Sequence, residues 1–320
     1  MLDAHYEQVR RTRGYDPVEV AVGGLSVEAA HRRFAFVEDA DALAAATPAE
    51  TLVSVGVSLT GTPHVGTVGQ LATAVTLQRA GFDVQLVLAD LVVYNSRGVD
   101  LQTVQTRAAR YRTLARECGF DPAEGRLVVQ SEDPDLARTA FLLAPDYTGE
   151  RAEPEYDPTA FEKRLDAAYD DVDPGDDVSD LSGELAGLLL VADTVRPLMD
   201  DDYERVLLVG GADNVGLARE LDAVRARADV AGEIVGLYTR LVPGRDGAPK
   251  MSKSLPGSDV NLAMSPGRIR EAVVNADDAA ADATARLLPP LVPAGSATRD
   301  DCADVFARLA EAWRATSATG

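Results

Sequence analysis

The run TLVSVGVSLTGTPHVGTVGQ, residues 51–70, constrains the fold more than any other stretch. Thr51 to Val57 is dominated by apolar and β-branched residues, as expected of a strand buried in a parallel sheet. A Gly/Thr/Pro turn follows, and from Val65 to Arg79 the pattern changes to helical period. Strand, glycine turn and helix form the first part of a right-handed βαβ unit. The alternation recurs, with strands read at Asp83 to Val93 and Arg126 to Gln130 flanking a helix at Leu101 to Cys118. It resumes with strands at Arg205 to Val209 and Gly232 to Val242 around a helix at Asn214 to Ala228. The expected class is α/β, a doubly wound parallel sheet built in two halves.

Between the halves, residues 144–183 carry thirteen acidic residues against three basic ones. They read as a surface insertion with one helix around Thr159 to Tyr169. Three short amphipathic segments near 267–275, 279–288 and 299–316 close the chain, with Trp313, Phe306 and Leu309 at core spacing. The expected organisation is an extension over 1–50, a main domain over 51–264 containing the insertion, and a small helical segment over 265–320. The start, MLDAHYEQVRR, is polar, and no run of eighteen apolar residues occurs, so the chain reads as cytoplasmic with no membrane contact. Two cysteines and three histidines give neither a disulfide framework nor a metal site. The net charge of −21 argues against non-specific nucleic-acid binding.

Two stretches carry chemistry. In SVGVSLTGTPHVGTVGQ, Gly56, Gly61 and Gly66 permit close backbone approach, and the free N–H groups at the helix start favour a phosphate. No GK[ST] or GxGxxG pattern follows. His64 stands at the mouth of that helix, suited to donate to a phosphoryl oxygen as charge develops; a capping loop with an incidental histidine is the alternative. The second stretch is APKMSKSLPG. Of 31 basic residues only three are lysine, and two of these, Lys250 and Lys253, fall here. Lysine puts a compact charge on a flexible stem that can follow a phosphate whose geometry changes, whereas guanidinium fixes one bidentate pose. The Gly, Pro and Ser around it predict a mobile, exposed loop.

HVG after a glycine-rich turn, followed far downstream by an intact KMSKS, resembles the two signatures of class I aminoacyl-tRNA synthetases. The spacing of Gly56, Thr60, Gly61, His64 and Gly66, the segment LADLVVYNSRG, the VQS at 129–131 and GGADNVGLAREL are similar to the tryptophanyl and tyrosyl members. The resemblance covers roughly 50–145 and 180–275 and implies a Rossmann-like, HUP-type nucleotide-binding fold. It implies that His64, Lys250 and Lys253 are catalytic, and that Gly61, Gly66, Thr67, Gly211, Asp213, Asn214, Met251, Ser252 and Ser254 complete the ATP site. Gly56, Ser58, Asp90, Gln130, Leu190 and Asp193 would form the amino-acid pocket. ATP with Mg2+ on the nucleotide, an amino acid, tRNA and a homodimeric partner are the implied ligands and partners.

The chain departs from that pattern at three kinds of position. Thr67 stands at the second histidine of the full signature, Leu59 at the usual proline, and Asn214 at the usual glutamine. AGLLLVAD, residues 186–193, keeps only the aspartate of the tyrosyl pocket, and leucine, valine and alanine cannot hydrogen-bond a phenol, so tryptophan is favoured over tyrosine. The terminal segment is smaller than the family's anticodon-recognition domain. The best RNA candidate is the arginine face of TRAARYRTLARE, 106–117, set against an ordinary solvated helix face. Two alternatives stay open: a relative passing the aminoacyl group to a different acceptor, and an inactive regulatory paralogue.

Overall fold

The computed structural model describes residues 1–22, 24–148, 154–170, 178–200, 203–276, 278–288, 291 and 298–316. Parts of the expected insertion (149–153, 171–177) and of the C-terminal segment (277, 289–290, 292–297, 317–320) lie outside the described residues. Six strands form one sheet: β1 (Phe34–Val37), β2 (Thr51–Ser58), β3 (Asp83–Ala89), β4 (Arg126–Val129), β5 (Arg205–Gly211) and β6 (Glu233–Thr239). Their order is β1-β6-β5-β2-β3-β4. Every pairing is parallel except β1 with β6. This is the expected α/β, Rossmann-like doubly wound sheet, with β1 added antiparallel at one edge.

β2 lies between β3 and β5, so the chain winds outward through β3 and β4, then returns to the other side of β2 through β5 and β6. That reversal opens a crevice at the carboxyl ends of β2 and β5, the position where open α/β sheets bind ligands.

The helix after β2 runs Val65–Arg79, as the period predicts. It is apolar around most of its girth because both sides are covered: the sheet lies on one and the helix Asp278–Leu287 on the other. A Cβ at Gly69 would come within 2.9 Å of Leu287, so close approach there requires glycine. The helix Leu101–Glu117 starts where Asp100 accepts from the Gln102 and Thr103 amides. The terminal helix Arg299–Ala315 opens on a capping box between Thr298 and Asp301.

Two readings need correction. The strand expected at Asp83 to Val93 stops at Ala89, and Asp90–Arg97 is a helix. The run stays largely apolar on both sides of the change, so periodicity could not mark it, whereas Asp90 turns the chain by accepting from the Leu91 and Ser131 amides. The helix Asp180–Asp200 has no counterpart in the sequence reading. Its buried residues run almost without a break from Ala186 to Leu198, Asp193, Thr194 and Pro197 among them, and so occupy several faces, which blurs the helical period.

Candidate active site

The two signatures, far apart in sequence, are held together through the segments that flank them. The Leu262 amide donates to the Pro63 carbonyl at 2.9 Å and the Val65 amide to the Val260 carbonyl at 3.2 Å, bridging the His64 turn to the strand-like segment after KMSKS. The loop is therefore docked, not the exposed turn its composition predicts: Met251 is 6% exposed and Ser252 7%. Ser258 braces it from within, its hydroxyl donating to the Ser252 carbonyl and accepting from the Ser252 amide, both at 3.1 Å.

Lys253 crosses the turn and donates to the Ser58 carbonyl at the end of β2. Gly61 gives it room, since a Cβ there would touch the Lys253 Cβ at 3.4 Å. Lys250 forms an ion pair with Asp213, just beyond β5. A side chain on Gly211 would overlap the Asp213 carboxylate, so this glycine keeps the acid in place.

His64 is the N-cap of the helix Val65–Arg79, and its Nδ1 accepts from the Gly66 amide at 3.0 Å. That bond puts the ring proton on Nε2, which is then the donor. A Cβ at Gly66 would meet the ring at 2.9 Å, so Gly66 serves the histidine first. Burial, reinforced by Lys253 and Lys250, pulls the His64 pKa down to about 3. The ring is thus neutral in the physiological range. Burial, then the charges of Lys250 and Arg107, lowers Lys253 to about 7. Burial opposes the charge on Lys250, but Asp213 and Tyr169 together outweigh it and hold that ammonium above its ordinary value.

These groups rim a cavity of about 410 Å³ between β2 and β5. Gly56, Ser58, His64, Gly66, Thr67, Leu190, Asp193, Gly211, Asp213, Asn214, Lys250, Met251, Ser252, Lys253 and Ser254 all border it. Three expected residues do not. Gly61 accepts from the Tyr111 hydroxyl at 2.9 Å beneath the turn. Gln130 accepts from the Val92 amide and donates to the Asp193 carboxylate, and Asp90 pins the neighbouring Ser131, so both stand behind Asp193. Asp193 is 4% exposed, its Oδ1 has no hydrogen-bond partner among the described residues, and burial raises its pKa to about 7. Ser54, which also lines the cavity, was missed, although it shares the alternating face of Gly56 and Ser58 on β2. Thr194, Gln70 and Arg97 were missed as well, with no motif to mark them.

The arginine face of Leu101–Glu117 is engaged in part by the protein itself, with Arg116 left exposed. Arg107 donates to the Leu59 and Thr60 carbonyls, Arg110 to the Trp313 carbonyl, and Arg112 pairs with Glu132.

Residues 48–148 match the family model of class I tRNA synthetases (W and Y). A tryptophan-tRNA ligase of Streptococcus agalactiae is 28% identical over 204 residues, covering 61% of this chain and 57% of its own length. The chain thus spans a little over half the length of the first curated relatives it matches. Tryptophan-tRNA ligase 1 of Halobacterium salinarum is 33% identical over 84 residues, 26% of this chain and 16% of that one. The chain is class I synthetase-like, of the tryptophanyl/tyrosyl type. Solved structures agree on the fold of this synthetase-like chain. The tryptophanyl-tRNA synthetase of Aeropyrum pernix K1 superposes with a TM-score of 0.64 at 20% identity, over 98% of this chain and 92% of that one. The Giardia lamblia tryptophanyl-tRNA synthetase gives 0.65 at 15%, over 100% and 96%.

Proposed function

We propose that this chain activates an amino acid with ATP, releasing pyrophosphate, and passes the aminoacyl group to tRNA, with tryptophan favoured over tyrosine. The observation that carries the reading is the convergence of Lys250, Lys253 and the His64 Nε2 donor on the mouth of the helix Val65–Arg79. An amino-acid carboxylate oxygen attacks the α-phosphorus, the bond from that phosphorus to the bridging oxygen breaks, and pyrophosphate leaves with the electron pair. The carboxylate is already a nucleophile, so no protein base is needed. Positioning and stabilisation of phosphate charge supply the rate. The lysines hold the departing pyrophosphate and His64 donates to an oxygen where charge grows. Asp213 would exchange its Lys250 contact for the ribose, freeing that ammonium for the phosphates. The donor set of two ammonium groups, a neutral imidazole and helix N–H groups suits a polyphosphate, and Mg2+ would come bound to the nucleotide.

Tryptophan is favoured because Leu190 and its apolar neighbours leave Asp193 as the acidic acceptor in the side-chain pocket, and because the curated relatives are named tryptophan-tRNA ligases. We assign the chemistry to residues 51–264, working in the cytoplasm. A homodimer is part of the reading: Phe141, Leu142 and Leu181 are exposed on the helices Pro134–Leu143 and Asp180–Asp200. Light scattering on the intact chain tests it, with a monomer at micromolar concentration overturning it. The activity is tested by ATP–pyrophosphate exchange across a panel of amino acids. Exchange driven by tryptophan is expected, and none with any amino acid, with or without tRNA, would sink the reading. Exchange without charging of any cellular tRNA would move the acceptor elsewhere.

A further inference from the structure

The acidic insertion does not stand away from the site. Its helix, Ala160–Asp170, lies on the KMSKS loop and touches it at three levels. The Tyr169 hydroxyl is 3.1 Å from the Ser252 Oγ, and the Lys250 Nζ lies 6.0 Å from the centre of the Tyr169 ring. Phe161 and Leu165 form a buried apolar cluster with Leu255 on the loop. Arg164 donates to the Gly247 carbonyl at the loop's start. The start of the helix is fixed to the scaffold. Thr159 and Glu162 cap it reciprocally, Glu162 pairs with Arg13 at 2.8 Å, and the Thr159 hydroxyl meets the buried His5 Nδ1 at 2.9 Å. The helix is therefore anchored on the helix Leu2–Arg13 at its start and bears on the loop along its length, from Phe161 to Tyr169.

We propose that this inserted helix is a clamp that keeps the KMSKS loop ordered, with Tyr169 as a positioning residue acting through Ser252 and Lys250. A Gly/Pro/Ser-rich loop loses conformational freedom when it closes its lysines on phosphate, and holding it beforehand removes that cost from the reaction. Ser252 is where the clamp meets the loop's own frame, because the same residue bonds Ser258 from inside. The consequence for catalysis rests on the activation reading above, but the clamp itself does not.

The lysines make a direct test possible. The chain has three, Lys163 on the inserted helix and Lys250 and Lys253 on the loop, so endoproteinase Lys-C can cut only within this device. Cutting a docked segment tracks how often it opens. Losing one hydroxyl contact in Tyr169→Phe should speed cleavage at Lys250 and Lys253 by about fivefold, with an unchanged melting temperature. Tyr169→Ala, which also removes the ring from Lys250, should speed it further. In pyrophosphate exchange, kcat/KM for ATP should fall by a similar factor while KM for the amino acid stays fixed. Unchanged cleavage in both variants overturns the clamp. Faster cleavage with an unaltered ATP dependence overturns the positioning role. An unaltered chain that exchanges with no amino acid overturns the activation reading instead, and the cleavage rates still judge the clamp.

Discussion

Gly56 looks into the cavity from β2, and nothing lies within 4 Å of where its Cβ would stand. On the proposed activity this face of β2 would meet the amino acid and not the fold. Gly56→Leu should therefore leave the melting temperature nearly unchanged while obstructing the pocket, reducing kcat/KM for the amino acid by about 10- to 200-fold. A normal KM with a collapsed melting temperature would contradict that placement. Lys253 carries the second prediction at this scale. Its lowered pKa of about 7 means that the free enzyme loses this charge as pH rises through neutrality. Because kcat/KM reports the free enzyme, kcat/KM for ATP should decline above about pH 7. Lys253→Arg should start lower, since a planar fork cannot follow the rearranging phosphates, but should lose the decline because guanidinium stays charged. A limb retained in that variant assigns it to another group. Residues such as these were legible because scarcity marked them: two of three lysines, and a histidine at a helix start. Asp90 and Gln130 were read as pocket walls because sequence gives the residue type near a site, not the direction in which it bonds. Both bond away from the cavity: Gln130 donates to Asp193, and Asp90 accepts from the Leu91 and Ser131 amides.

Elements were legible where the hydrophobic period was one-sided or where a turn punctuated it. The span read for the helix Val65–Arg79 agrees with the structure because His64 caps one end and Gly81 follows the other. Asp180–Asp200 was invisible because it is buried on several faces between the sheet and the helix Pro134–Leu143. That burial explains the state of Asp193 within it. An acid whose folded pKa stands at about 7 against an ordinary 3.8 keeps its proton in the folded chain after the unfolded chain has lost it. Stability is then greatest below the lower value and falls as pH rises through the interval to the upper one. Asp193→Asn, which keeps an oxygen for Gln130, should stabilise the chain at pH 8 by up to about 4 kcal/mol. The gain should vanish towards pH 4, as followed by chemical denaturation across that range. A gain independent of pH would mean that the carboxylate is ionised in the folded state throughout.

At the scale of the whole molecule, the doubly wound parallel sheet follows from the alternation of strands and helices, whereas the edge strand β1, within the expected extension, and the docking of the terminal helices do not. The arginines at 107, 110 and 112 looked like a surface face because charge usually marks solvent. Instead Arg110 stacks over Trp313 at 3.9 Å and bonds its carbonyl, so the charged face is partly an internal seam. Trp313 is 2% exposed and meets Tyr111 edge-on at 5.2 Å. Tyr111 in turn donates to Gly61, the glycine packed against Lys253. The buried Arg33 adds a second tie, bonding the Leu287 carbonyl from below and Thr73 on the site helix. The terminal helices are thus continuous with the core that supports the His64 turn. Trp313→Ala should then cost about 3–5 kcal/mol and lower a single cooperative transition, monitored together by helical signal and tyrosine fluorescence. Were the terminal helices a separate unit, the variant would show an early, small transition followed by core unfolding at the original midpoint. Trp313→Phe, which keeps a ring against Tyr111, should recover most of the loss.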